Sequence, residues 1–252
     1  MPRQRLYRTP AVVLKRMDLG EADRILTFYS RDHGKVRAVA KGIRRGTSRS
    51  AGHLEPFAVA DVLFAVGRDL DVVSQADTLE AFRQLREDLV LTTYAYYLVE
   101  LVDLLTEEHE ENRAVFDLLV DGFRQLGAAA DHRQVLISFH LHLMEALGYR
   151  PELRECVGCH AKIAPERNRF SPQQGGALCS PCGAQDSGAR QIGVPALKLL
   201  RYLQQGGLFV QAAPHVTREA EALLRDYAEH IVERRLRTPA LIARVFEVGT
   251  RL

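Results

Sequence analysis

Residues 23–43 read DRILTFYSRDHGKVRAVAKGI, and this stretch decides the fold class. Two runs, 23–30 and 34–43, are rich in β-branched and aromatic side chains and flank the turn sequence RDHG. In the second run Val36, Ala38 and Ala40 alternate with Arg37, Val39 and Lys41. That period of two suits a ribbon with one buried and one exposed face. Outward from this pair, AVVLKRM (11–17), FAVADVLFAV (57–66) and LDVVSQA (70–76) have the same character. LGEA, a polar stretch around 44–52 and GRD separate them. Five short antiparallel strands predict a small barrel or sandwich, and we expect an OB-like barrel over residues 1–80.

From residue 81 the period changes. Leu91, Tyr94, Leu98, Leu101 and Leu105 step by three and four, the stripe of an amphipathic helix. Further helices are expected over 112–127 and 132–147, the latter opened by Asp131 and Gln134 at capping-box spacing. Residues 150–190 lose all periodicity and gather Pro, Gly, Asn, Ser and four cysteines, which predicts a loop-built module. Helices resume with Pro195 in a first turn. Another is expected to open at Thr217, Glu219 and Glu221 and to close on Arg234, Arg235 and Arg237. The fold class expected is α+β and multi-domain: the barrel, a helical domain over 81–149 and 191–252, and a zinc module at 150–190 inserted in it.

The whole chain has 252 residues, 34 basic and 32 acidic side chains and 46% hydrophobic residues, so a real core can form and a disordered tail is excluded. The charge is polarised: residues 1–50 carry 13 Lys and Arg against 4 Asp and Glu, whereas residues 81–131 carry 4 against 11. A basic surface concentrates polyanions and an acidic one repels them. No apolar run reaches the roughly 18 residues of a membrane span, and the amino terminus has no apolar leader core, so the cytoplasm is the expected compartment.

Cys156, Cys159, Cys179 and Cys182 form C-x2-C-x19-C-x2-C. That spacing lies in the range for a four-thiolate tetrahedral site, and one structural zinc is expected. CVGCH also fits c-type haem attachment, but that would need export and would leave the second pair without purpose. A redox dithiol usually opens a helix after a strand, whereas both pairs fall in a stretch read as helix-free. A catalytic zinc normally keeps one position open for water, so four thiolates argue for a closed site.

Lys35, Arg37, Lys41, Arg44, Arg45 and Arg49 are interleaved with Gly34, Gly42 and Gly46, with no acidic residue from 34 to 49. Guanidinium groups grip phosphate through paired donors, and glycines let backbone approach it. On a five-stranded barrel this stretch predicts a nucleic-acid site, with Phe28, Tyr29 and Phe57 as possible base-stacking platforms or simply core. GIRRGTS lacks the lysine of a P-loop, and no dinucleotide, zinc-protease or serine-hydrolase motif is present, so no enzyme is expected. Glu107, Glu108, Glu110 and Glu111 read as a solvated charged turn between helices.

GEADRILTFYSRDHGKVRAVAKGIRRGTSR (20–49) followed by HLEPF (53–57) resembles the amino-terminal signature of the bacterial RecO recombination mediator family. The order of barrel, helical body and late four-cysteine insertion is similar over essentially the full chain. The resemblance implies a non-enzymatic, nucleoid-associated protein of recombinational DNA repair. It would bind single- and double-stranded DNA, anneal complementary strands and, with RecR, help load RecA onto DNA coated by single-stranded DNA-binding protein. It places DNA on the basic barrel segment and makes the metal a stabiliser. It also implies recognition of the tail of single-stranded DNA-binding protein by the helical domain, for which Arg234, Arg235 and Arg237 are the candidates. From the residues alone, an RNA-binding or ribosome-associated zinc protein, a metal-dependent nuclease and a protein-binding adaptor remain competing classes.

Overall fold

The computed structural model describes residues 5–46, 48, 50–207 and 209–249. Five strands, β1 (Leu6–Leu19), β2 (Asp23–Ser30), β3 (Gly34–Ala40), β4 (Val59–Ala65) and β5 (Asp71–Glu80), close into a barrel in the order β1-β2-β3-β5-β4. All neighbours are antiparallel except β3 and β5, which meet through a short parallel seam, Ala38 opposite Asp71 and Val39 opposite Val72. Alternation does what the sequence requires: Leu26, Phe28, Val36, Ala38, Ala60, Val62 and Phe64 fill the interior. A bulge between Val13 and Lys15 lets the long β1 bend around it. Ser30 fixes the β2–β3 turn, its hydroxyl donating to the Gly34 carbonyl at 2.9 Å and accepting from the His33 amide at 3.2 Å.

The chain divides into two compact units, residues 1–127 and 128–252. The barrel shares the first with α1 (Gln84–Glu87), α2 (Leu89–Leu105) and α3 (Arg113–Ala128). The stripe read from the sequence is the buried face of α2, where Tyr94, Leu98 and Leu101 are fully enclosed. Asp88 caps its start by accepting from the Leu91 amide at 2.9 Å.

The second unit holds α4 (His132–Ala146), β6 (Asn168–Ser171), β7 (Gly176–Leu178), α5 (Ser180–Gln185), β8 (Arg190–Ile192), α6 (Val194–Gln204), α7 (Pro214–Ile231) and α8 (Thr238–Gly249). Asp131 caps α4 as expected, accepting from the amides of Arg133 and Gln134. Two expectations need correction. Residues 150–190 are not purely loop, because β6, β7 and β8 form a three-stranded sheet in the order β7-β6-β8, with strands too short to show a period. The helix expected to open at Thr217 begins at Pro214 and ends at Ile231, so Arg234, Arg235 and Arg237 lie in the link to α8 and cannot complement its last turn.

Candidate nucleic-acid interface and metal centre

The six basic residues taken from the sequence separate into distinct environments. β3 turns Val36, Ala38 and Ala40 inward, so Lys35, Arg37 and Val39 face out. Lys35 is nevertheless buried: its ammonium donates to the carbonyls of Asp103 (2.7 Å) and Thr106 (2.5 Å) at the end of α2. Burial holds its pKa below the ordinary lysine value, against the raising pull of the nearby Asp103, Glu107 and Glu108 carboxylates. Lys35 is therefore a structural cation and leaves the phosphate-binding set. Arg37 is exposed and faces Glu108 at 3.8 Å.

Beyond β3 the chain makes a compact loop. Ile43 drops into the barrel core and anchors it. The Gly42 amide donates to Asp23 Oδ1 at 2.7 Å and the Arg44 amide to the Ala22 carbonyl at 2.9 Å, tying the loop to the β1–β2 turn. Gly42 has φ +64°, a left-handed conformation that glycine adopts without strain. Arg44 reaches the Gly20 carbonyl at 3.1 Å and Asp18 at 3.5 Å. The hydrogen bond from Arg24, aided by the charge of Arg44, holds the Asp18 carboxyl below its usual range. Lys41 and Arg45 are exposed, and neither meets a carboxylate among the described residues. Arg49 lies outside the described residues.

The stacking platforms are not available. Phe28 packs on Phe64 inside the barrel, and Phe57 packs between Tyr96 and Phe123. Tyr29 faces outward but is covered, its hydroxyl donating to the Asn112 carbonyl at 3.3 Å. What the loop offers is charge without an aromatic face.

In the second unit the four cysteines converge. Cys156 and Cys159 lie in a turn closed by the His160 amide donating to the Cys156 carbonyl at 2.7 Å. Cys179 follows β7 and stands at the start of α5, and Cys182 lies in its first turn. The second pair therefore does open a helix after a strand, contrary to the helix-free expectation. What counts against a dithiol is the third and fourth sulfur. All four Sγ atoms lie within 4.8 Å of one another, and Cys159 and Cys179 are 3.7 Å apart. A tetrahedral ion with metal–sulfur bonds of about 2.3 Å needs an edge of about 3.8 Å.

The protonation balance agrees with that geometry. Burial raises the Cys156 thiol, but amide donors from Cys179, Cys159 and Gly158 outweigh it and hold the pKa at about 6. Hydrogen bonding to Cys179, Cys159 and Cys156 pushes Cys182 up to about 12. Four thiolates this close cannot all ionise without a cation among them, so the donor set fits one bound metal ion. Gly158 sits where a Cβ would come within 3.3 Å of Cys182 Cβ and Sγ, so the first turn closes tightly on the second pair.

Residues 3–82 match the family described as Recombination protein O N terminal, and residues 86–240 the family described as Recombination protein O C terminal. The chain belongs to the RecO family of DNA repair proteins. It is 44% identical over 244 residues to the DNA repair protein RecO of Roseiflexus sp. (strain RS-1), covering 95% of this chain and 86% of that one. The RecO protein of Nocardioides sp. (strain ATCC BAA-499 / JS614) is 39% identical over 95% of this chain and all of its own. That of Pelotomaculum thermopropionicum (strain DSM 13744 / JCM 10971 / SI) is 37% identical over 95% and 94%.

In this RecO chain the remaining candidates lie in the second unit, after α7. Arg234 and Arg235 are exposed, and Arg235 pairs with Glu229 at 3.2 Å. Arg237 is also exposed. Among the described residues no helix is long and apolar enough to cross a membrane. Sequence reasoning missed the tie between β3 and α2. The signal was the lysine itself, placed on a sheet face that an apolar helix must cover.

Proposed function

We propose that this chain is a non-enzymatic recombination mediator. It binds single- and double-stranded DNA through the loop after β3, anneals complementary strands, and with RecR helps load RecA onto DNA coated by single-stranded DNA-binding protein. The observation that carries the reading is the Ile43-anchored loop presenting Lys41, Arg44 and Arg45 at one end of an OB-like barrel in a chain of the RecO family. Annealing needs no catalytic residue, because pairing is downhill and the obstacle is repulsion between two polyanions. Cations that neutralise phosphates lower that barrier and release counterions.

Residues 1–80 serve as the DNA-binding element in this reading. Residues 81–149 and 191–252 are the helical domain, and 150–190 a structural module holding one zinc ion through Cys156, Cys159, Cys179 and Cys182. Zinc is favoured because four closed thiolates suit a structural d10 ion. The tail of single-stranded DNA-binding protein is acidic and apolar, which suits Arg234, Arg235 and Arg237. The protein works in the cytoplasm at the nucleoid.

The test is fluorescence anisotropy of labelled single-stranded DNA against salt, comparing the natural chain with Lys41→Glu/Arg44→Glu/Arg45→Glu. Three neutralised phosphates give a log–log slope of about −2, and the folded variant binds more than about tenfold more weakly with a shallower slope. Binding unchanged by the three reversals removes the barrel loop as the DNA site. Failure to anneal strands coated with the cognate single-stranded DNA-binding protein removes the mediator reading in favour of an RNA-binding role.

A further inference from the structure

Between α2 and α3 the chain reads TEEHEEN (106–112), with four exposed carboxylates in five residues. A free acidic turn would stand off the protein. This one is laid along β3. The His109 amide donates to the Lys35 carbonyl at 2.9 Å, and Glu108 forms a parallel bridge with Lys35. His109 takes a left-handed conformation, φ +63°, uncommon for a residue with a Cβ. Glu110 crosses so close to Gly34 that a Cβ there would come within 1.9 Å of its carbonyl oxygen. Lys35 ties down one end through Thr106, and Tyr29 the other through Asn112.

The contact brings acidic groups onto the outward cations of the barrel. Glu108 faces Arg37, and Asp103, at the end of α2, pairs with Lys15 of β1. Thr27 of β2 lies opposite both Lys15 and Arg37, so the two cations share one outward row of β1-β2-β3. Along β3 the outward positions run from Arg37 through Val39 towards Lys41, about 13 Å for four residues. A single strand gripped by Lys41 and Arg45 would meet Arg37 next on this face, and there it would find a carboxylate already seated.

We propose that residues 107–111 act as a built-in stand-in for phosphate, holding Arg37 through Glu108 and competing with single-stranded DNA for the outer face of β3. The proposal rests on the barrel being the DNA-binding element. In the closed arrangement the phosphate track stops at the loop. When a strand of sufficient local charge displaces Glu108, the track lengthens onto Arg37. The barrel then binds weakly at low occupancy and gains a contact only where DNA competes successfully for the cation.

A double-substitution cycle on the full chain tests this, read by anisotropy of a labelled oligothymidylate across salt concentrations. Glu108→Gln is isosteric and leaves the backbone tie to Lys35 in place. It should tighten binding about twofold to fivefold at low salt and steepen the log–log slope by about 0.7, one further phosphate. Arg37→Gln alone should weaken binding at low salt, because it removes the cation that the strand competes for and leaves Glu108 unpaired beside the track. In Glu108→Gln/Arg37→Gln the gain should disappear. A gain that persists without Arg37 reduces the effect to general charge and overturns the proposal, as does no gain from Glu108→Gln while the loop reversals at 41, 44 and 45 abolish binding. Salt-dependent binding that survives those loop reversals overturns the barrel reading itself, and this proposal with it.

Discussion

Lys35 donates its ammonium to the carbonyl of Thr106, the residue that caps the end of α2, at 2.5 Å. The last carbonyls of a helix lack intrahelical partners and carry the negative end of its dipole, so a buried lysine there is a C-cap supplied from another element. We expect Lys35→Met to destabilise the first unit by about 2 to 4 kcal/mol, through two lost charge-assisted hydrogen bonds and the carbonyls left unpaired. Urea denaturation measures this. DNA affinity of the folded fraction should stay within about twofold of the natural chain, and a stable variant that had lost binding would return Lys35 to the phosphate-binding set.

Gly34 combines φ +60° with the close approach of Glu110. A Cβ at that position faces both backbone strain and a carbonyl it cannot avoid, so Gly34→Ala should cost more than about 2 kcal/mol. Because the clash falls on the 106–112 segment, amide exchange should rise first at residues 108–112 and only later in β2. Uniform loss of protection across the barrel would count against this order.

The cysteine cluster makes a compositional prediction. Protein purified without added metal should contain one zinc per chain, and Cys156→Ala should lose it, because the buried sulfur sits at the centre of the hydrogen-bonded turn. Elemental analysis and the visible spectrum of a cobalt-substituted sample report stoichiometry and tetrahedral thiolate geometry. A folded protein with no metal would refute the assignment.

His140 is fully enclosed in α4, and burial pushes its pKa down to about 3. The unfolded chain takes up a proton near pH 6.5 that the folded chain refuses until about pH 3. The stability this residue contributes is therefore complete above pH 6.5 and falls as pH drops, by up to about 1.4 kcal/mol per pH unit. His140→Gln should flatten that part of the stability profile whatever it does to stability at neutral pH. An unchanged slope between pH 6 and 4 would show that another group titrates.

The parts of this protein with a strong period were legible in its sequence. Strand β2 spans the run DRILTFYS, and α2 follows the stripe from Leu91 to Leu105. The four cysteines were legible for a different reason, since their paired spacing alone brings four sulfurs together where they could hold a metal ion. Strands β6, β7 and β8 were not, because three or four residues are too few to alternate visibly. Within the basic stretch, the fate of each cation could not be read. Lys35 and Lys41 look alike in sequence, yet one lies under the end of a helix that begins more than fifty positions later. Tyr29 was hidden by another long-range contact, with the Asn112 carbonyl.

The outer edge of β3 has two owners. Its later residues, Ala38 and Val39, pair with β5 and close the barrel, while Lys35 pairs with the segment carrying Glu108 and His109. A fragment ending at Glu80 would strip one owner away. Tyr29 would lose its cover, and β3 would present an unpaired edge beside an apolar patch, the combination through which strands recruit neighbours and aggregate. The smallest piece expected to keep that edge covered and to melt in one step is the first compact unit, residues 1–127, in which three helices guard the barrel against its own stickiness.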